Sequence, residues 1–233
     1  MPLRLDSRPV GEVLVIQCSG RIVAGAEVQS LQLQLRKVLP EHHDVVLQLE
    51  NVPFIDSSGI GALVRLAQSA RANGGELKLC GLQPAIRKTL ELTNLLSLFK
   101  VYDSEADAIV AAYLGPRHSQ DEGDGQLRIL CVYDSADMRA FLGEVLCGAG
   151  YRALTAGNLQ DAQILLRATK ARLIILGANM QTVYGASARK AFEEIDPTVT
   201  VIVLDQDFAA GEPGEVATKL LQTVRSSAPG KTA

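Results

Sequence analysis

Aromatic residues are scarce in this sequence: they occupy 4% of its 233 positions, and tryptophan is absent. Aliphatic side chains must therefore fill the core, which a hydrophobic share of 47% permits. Neither sign of charge dominates, since 23 Lys and Arg residues face 26 Asp and Glu residues. Because no basic patch stands out, a direct nucleic-acid partner is not expected.

Long apolar runs and metal-binding patterns are missing too. No run approaches the roughly 18–20 residues that span a bilayer, and the N-terminus lacks a hydrophobic signal segment. We therefore expect a cytoplasmic protein without a membrane partner. No group of His, Cys and carboxylate residues has metal-ligand spacing, so neither a metal nor another cofactor is expected. Four scattered cysteines lie in or beside apolar runs and are expected to be buried free thiols: Cys18, Cys80, Cys131 and Cys147.

Two common catalytic patterns are also absent. The chain has no G-x-S-x-G nucleophile elbow and no G-x-x-x-x-G-K-[ST] phosphate loop. A hydrolase would need a general base, and His42, His43 and His118 all lie in polar loop contexts. We therefore expect no catalytic residues and no enzymatic activity.

A polar segment divides the chain. Residues 115–126 are rich in Gly, Ser and acidic residues and have no aliphatic side chain, as in a flexible linker. The predicted boundaries are a first domain at 1–114, this linker, a second domain at 127–225 and a frayed tail at 226–233.

Apolar spacing predicts alternating strands and helices in both halves. In the first half, we predict strands at 12–18, 44–49, 76–80 and 98–102, with helices at 26–39, 58–72, from Pro84 and at 104–113. In the second half, we predict strands at 127–133, 151–155, 173–176 and 199–204, with helices near 138–146, 159–168, 186–194 and from Pro213. The fold class is therefore α/β, and the second half is expected to form a parallel, doubly wound sheet.

One motif, Ile55-Asp56-Ser57-Ser58-Gly59-Ile60-Gly61, lies at a predicted strand-to-helix junction. A helix N-terminus offers unpaired N–H groups and the positive end of the helix dipole, so a phosphate is well tolerated there. The local pattern alone favours an ordinary N-cap formed by Ser57 or Ser58. The residues alone leave both interpretations open.

The surrounding sequence resembles the STAS domains of bacterial anti-sigma-factor antagonists. The resemblance covers about residues 8–113 and rests on the strand 45–49, the run 54–63 that contains D-S-S-G, the run 74–79 and the helix near Pro84. It implies that a serine kinase phosphorylates the first serine of the motif, here Ser57. It also implies that Asp56, Ser57, Ser58, Gly59 and Ile60 contact the partner.

The resemblance further implies a partner-switching cycle. The unphosphorylated form would bind an anti-sigma factor with a kinase-like, ATP-binding fold, and a serine phosphatase would reset the cycle. Phosphoserine adds about −1.5 to −2 charges beside Asp56. A coupling of roughly 1–3 kcal/mol would weaken partner binding about 5–150-fold.

One position departs from the family pattern. Members often carry an acidic residue shortly after the glycine that ends the second strand, whereas Gly20-Arg21-Ile22-Val23 places Val23 there. The departure puts the choice of kinase, and phosphorylation itself, in question. We expect Arg21 to be a solvated charge. The alternative function is therefore a STAS scaffold subunit of a larger signalling assembly, without phosphorylation.

The second half resembles a response-regulator receiver domain with a flavodoxin-like fold. Of the acidic pair after its first strand, Asp134 survives and Tyr133 replaces the other acid, while Gly177 replaces the phospho-accepting Asp. Without that carboxylate no acyl phosphate can form, and Asp134 alone is a poor Mg²⁺ ligand set.

The end of the receiver-like half is altered as well. Asp205 follows the fourth strand, and the fourth helix and fifth strand are expected to be missing or much reduced. Asp134 and Asp205 are then caps or solvated loop residues. The half is expected to be a degenerate receiver used for docking or regulation, and its exposed sheet edge could support self-association.

Overall fold

A five-stranded sheet forms the centre of the first of two compact units, Met1–Gly115 and Pro116–Ala233. A computed structural model describes residues 2–115, 126–181 and 187–227 of the chain. The strands lie side by side in chain order: β1 Arg4–Val10, β2 Val13–Ser19, β3 Asp44–Asn51, β4 Glu76–Cys80 and β5 Lys100–Tyr102. β1 runs antiparallel to β2, and the other neighbours are parallel.

Four helices cover this sheet: α1 Ala26–Val38, α2 Ser57–Ala72, α3 Pro84–Leu92 and α4 Glu105–Tyr113. The main core joins one face of β2, β3 and β4 to α1, α2 and α3, through aliphatic residues such as Leu47, Leu63 and Leu90. α4 packs against β3, β4 and β5. Its predicted cap is confirmed, because the Ser104 hydroxyl accepts a hydrogen bond from the Asp107 N–H at 3.1 Å.

The strand β1 escaped the sequence-based prediction. Most of its residues are exposed or half-buried, so they lack the apolar run that marks a buried strand. Its place is set by seven pairings with β2, after a turn in which Gly11 adopts φ 59°. Pro9 is tolerated because β1 lies at the edge of the sheet.

The second unit contains a four-stranded parallel sheet in the order β7-β6-β8-β9, as predicted for a parallel α/β half. Its strands are β6 Arg128–Val132, β7 Arg152–Ala156, β8 Leu173–Leu176 and β9 Thr200–Val203. Its helices are α5 Ala136–Gly148, α6 Leu159–Thr169, α7 Ala188–Glu193 and α8 Pro213–Ser227. After β9 the chain makes a 3-10 turn at Gln206–Ala210 and enters α8, so no fifth strand follows within 126–181 and 187–227.

Two expectations need correction. Cys147 is exposed near the end of α5, whereas Cys18, Cys80 and Cys131 are buried free thiols as predicted. The tail was expected from residue 226, but α8 continues to Ser227. The predicted linker, apart from residues 115 and 126, lies outside the described residues, as do His118 and the tail from 228 onward. In the described part of the chain, no helix has the length and apolarity to cross a bilayer.

Candidate functional site

The D-S-S-G motif lies where two backbone segments of the first unit meet. The loop after β2 pairs with the segment after β3 through a parallel bridge between Ile22 and Ile55. The Ile22 N–H donates to the Phe54 carbonyl at 3.1 Å, and the Asp56 N–H donates to the Ile22 carbonyl at 3.2 Å. This pairing fixes the start of α2 against the loop.

Asp56, rather than either serine, is the N-cap of α2, which corrects the capping interpretation. Its Oδ1 accepts a hydrogen bond from the Gly59 N–H at 2.8 Å, and its Oδ2 accepts one from the Ala24 N–H at 2.9 Å. These backbone hydrogen bonds, first that from Ala24 and then that from Gly59, lower the pKa of Asp56 below 3.8. The ionised carboxylate therefore ties the loop after β2 to the helix.

Neither Ser57 nor Ser58 is the N-cap of α2. Ser57 and Ser58 are the first two residues of α2, and both are exposed. Gly59 and Ile60, which follow them, are buried. The Ser57 hydroxyl is thus exposed to solvent at a helix end that the hydrogen bonds of Asp56 hold in place.

Gly59 is required by close packing rather than by an unusual φ angle. A Cβ atom there would lie 2.4 Å from the Ile22 carbonyl oxygen and 2.7 Å from a methyl carbon of Ile55. Two residues later the situation differs, because among the described atoms a Cβ on Gly61 would meet only Nη1 of Arg65, at 3.4 Å. The two glycines of the motif therefore serve different purposes.

A shallow, mainly apolar groove runs along α2 beside Ser57. It has a volume of about 410 Å³, and its lining comes from α2 and from the segment after α3: Ser57, Ile60, Gly61, Val64, Arg65, Thr93 and Leu95. Leu92, which directly precedes the lining residue Thr93, is 76% exposed. Arg65, Thr93 and Leu95 were missed by the sequence-based prediction. The spacing Ser57, Gly61, Arg65 would have revealed the arginine, since residues four apart share a helix face.

Arg21 and Val23 lie in the loop that faces the motif. The Arg21 guanidinium lies 5.0 Å from the centre of the Phe54 ring, so it stacks on an aromatic face rather than being merely solvated. The ring is 46% exposed. Val23 is half-buried.

In the second unit, Tyr133 and Gly177 come together as neighbours at the ends of β6 and β8. A Cβ atom on Gly177 would lie 2.7 Å from the Tyr133 ring. Arg139 donates from Nη1 to the carbonyls of Tyr133 at 2.7 Å and Asp134 at 2.8 Å. The tyrosine ring thus occupies the space that a side chain at 177 would need.

The two candidate carboxylates of this unit serve local roles. Asp134 is exposed and its Oδ1 accepts a hydrogen bond from the Ser135 N–H at 2.8 Å, whereas Asp205 forms an exposed ion pair with Lys219 at 3.2 Å. Within the described residues, no group of three or more His, Cys, Asp or Glu side chains could hold a metal ion.

The sequence of the first unit matches known proteins. Residues 4–108 match the STAS domain. The chain is 31% identical over 99 residues to BtrV of Bordetella bronchiseptica, a candidate anti-sigma factor antagonist, and covers 85% of that protein but 42% of itself. It is 32% identical over 91 residues to a STAS-domain containing protein of Pseudomonas aeruginosa, covering 89% of that protein and 39% of itself.

A third relative is similar over a longer stretch. The anti-sigma F factor antagonist of Paenibacillus polymyxa is 25% identical over 111 residues, which are 94% of that protein and 47% of this chain. All these matches cover less than half of the chain. Since two relatives above 30% identity are covered over most of their length, the chain belongs to the STAS-domain family.

Proposed function

We propose that the chain is an anti-sigma factor antagonist whose partner binding is switched by phosphorylation of Ser57. The observation that carries this proposal is the placement of Ser57, exposed at the start of α2 and lining the apolar groove. The names of the relatives from Paenibacillus polymyxa and Bordetella bronchiseptica support the same function.

In the unphosphorylated state, the groove docks against an apolar surface of the partner. That partner is an anti-sigma factor with a kinase-like, ATP-binding fold, which would also phosphorylate Ser57. Ile60 and Val64 supply the apolar contact, and the exposed Leu92 would extend it. A docked partner would have to strip water from any phosphate on Ser57, which is unfavourable.

The site needs no refolding to switch. Asp56 and Gly59 fix the helix start against the loop after β2, so the backbone is already in place for both states. A phosphate of about −1.5 to −2 charges then acts directly at the contact surface. A serine phosphatase would restore binding.

We infer that the STAS half is a binding switch and not an enzyme. Its relatives are named as antagonists. Among the described residues, no histidine lines the groove of Ser57, and Nδ1 of His43 lies 2.9 Å from the Asn73 carbonyl, away from the motif. Asp56 is held by backbone N–H groups, so it is poorly placed to act as a base.

For the second unit, we infer a degenerate receiver that cannot be phosphorylated. The order β7-β6-β8-β9 corresponds to the first four strands of the flavodoxin-like order 2-1-3-4-5. Gly177 offers no carboxylate, and the Tyr133 ring fills the space beside it. The second unit would then serve in docking, in regulation by contact, or in self-association along the edge strand β9.

The decisive experiment maps phosphorylation and then tests its effect. Protein recovered from native cells, in growth and under stress, is analysed by mass spectrometry for phosphate on Ser57. Ser57→Asp, Ser57→Ala and the matched control Ser58→Asp are then used to capture kinase-fold proteins from the same cells. We expect Ser57→Asp to reduce capture about 5–150-fold, Ser57→Ala to retain it, and Ser58→Asp to have a smaller effect.

Val23 favours a second candidate, a STAS scaffold without phosphorylation. An apolar, half-buried side chain stands where relatives often carry an acid that would engage the kinase. If Ser57 is unmodified in every condition and Ser57→Asp binds like the wild type, the scaffold replaces the switch.

A further inference from the structure

The side chain of Arg65 runs back along α2 toward the start of the helix. Its Nη1 lies 3.4 Å from the place where a Cβ atom on Gly61 would be. Ser57, Gly61 and Arg65 are spaced by four residues, so each lies about 40° around α2 from the one before, and Gly61 lies between the other two. Because Gly61 has no side chain, this face is open between the guanidinium and Ser57.

Ser57 and Arg65 also share one groove, with Ile60 and Val64 among the residues that line it. Arg65 is exposed, and within the described residues its guanidinium forms no ion pair or hydrogen bond. The guanidinium is therefore available to a new anion on the same helix face.

A phosphate on Ser57 would lie within reach of that guanidinium. Cβ atoms four residues apart on a helix are about 5–6 Å from each other, and the arginine already extends to the level of Gly61. Arginine binds phosphate through two parallel N–H···O contacts, which a lysine cannot reproduce. Two other charged groups face this helix end: Arg21, whose charge helps to lower the pKa of Asp56, and Asp56 itself.

We propose that Arg65 is the intramolecular partner of the phosphate on Ser57. The inference rests on the proposed function, because it assigns a residue to the phosphorylated state of the same site. The pair spans the groove above Gly61, which Ile60 and Val64 also line. Phosphorylation then removes the docking surface by occupying it, in addition to placing charge beside it.

The test uses the full chain with phosphoserine encoded at position 57 and follows its second ionisation by ³¹P NMR. Loss of a nearby positive charge makes the dianion less favourable, so Arg65→Gln raises the pKa of the phosphate. For an exposed pair we expect a rise of about 0.2 to 0.7, which shrinks at high salt. Arg36→Gln is the matched control, since Arg36 is on α1 and lines the neighbouring groove with Arg65.

A second control repeats the titration at high salt, where screening should shrink the effect of Arg65→Gln on the phosphate pKa. An equal pKa for the phosphate on Ser57 with and without Arg65, or an equal effect of Arg36→Gln, would overturn the pairing. Arg65 is exposed, so its substitution leaves the core intact.

This titration requires neither the kinase nor the anti-sigma factor. If Arg65→Gln leaves the pKa unchanged while Ser57→Asp abolishes capture, the pairing is wrong and the switch stands. If the pKa responds but Ser57 is never phosphorylated in cells, the geometry is right and its regulatory use is wrong.

Discussion

The two glycines of the motif allow a matched test of the junction between α2 and the loop after β2. In Gly59→Ala, the new methyl group would lie 2.4 Å from the Ile22 carbonyl oxygen, whereas in Gly61→Ala its nearest neighbour is the flexible end of Arg65 at 3.4 Å. Both changes replace glycine by alanine in one helix. Their difference therefore reports the close packing.

The magnitude follows from three contributions to the free energy of unfolding. Alanine stabilises a helix over glycine by at most about 1 kcal/mol, in both variants. Overpacking costs about 1–3 kcal/mol. Displacing Ile22 would also weaken its backbone hydrogen bonds with Phe54 and Asp56, and the loss of each would cost about 1 kcal/mol of stability. If both hydrogen bonds are lost, we expect Gly59→Ala to lose about 2–4 kcal/mol net, whereas Gly61→Ala should gain up to about 1 kcal/mol.

The assay is urea unfolding of the full chain, followed by NMR so that each unit is observed separately. Amide signals of the first unit should lose intensity at lower urea in Gly59→Ala, and those of the second unit should be unchanged. Amide exchange at Ile22 and Asp56 should also accelerate, because these N–H groups form the junction. If Gly59→Ala is as stable as Gly61→Ala, the reasoning about the close approach is wrong.

Three other perturbations probe different parts of the chain. Gly177→Ala should destabilise the second unit by about 1–3 kcal/mol in urea unfolding, because its new methyl group overlaps the Tyr133 ring, and adding Tyr133→Ala should relieve that overlap. Gly148→Ala is the control, since no described atom lies within 4 Å of its new methyl group. The Asp56 carboxylate stabilises the folded state above pH 3.8, and this stabilisation is lost as the pH falls through the lower pKa of the folded state. The amide chemical shifts of Ala24 and Gly59 should therefore titrate below pH 3.8, and titration at or above that pH would contradict the cap. Cys147 should react with a disulfide reagent at neutral pH, while burial raises the pKa of the other three thiols to about 12 and leaves them unreactive until urea is added.

Most helices and buried strands could be predicted from sequence because each carries its own signal. β4 was predicted with the observed bounds, Glu76–Cys80, since apolar alternation and the preceding glycines mark it. β1 could not be predicted in this way, because a polar edge strand owes its conformation to a neighbour rather than to its own burial.

At the site, the local pattern identified the motif but did not predict which of its residues caps α2. Asp, Ser and Gly are all competent at a helix start, so the choice of Asp56 as cap depends on the Ala24 N–H, 32 residues earlier in the chain. The groove depends on where α3 ends and on how Leu95 is turned toward α2. Such contacts between distant segments leave no periodic trace in the sequence.

The contact between Tyr133 and Gly177 makes two positions, far apart in sequence, into one packing unit. A larger residue at 177 overlaps the ring, and a smaller residue at 133 leaves a void. Any step toward a carboxylate at 177 must therefore pass first through loss of the ring. In descendants of this chain, we expect the two positions to change together, and the missing carboxylate to be hard to regain by a single substitution.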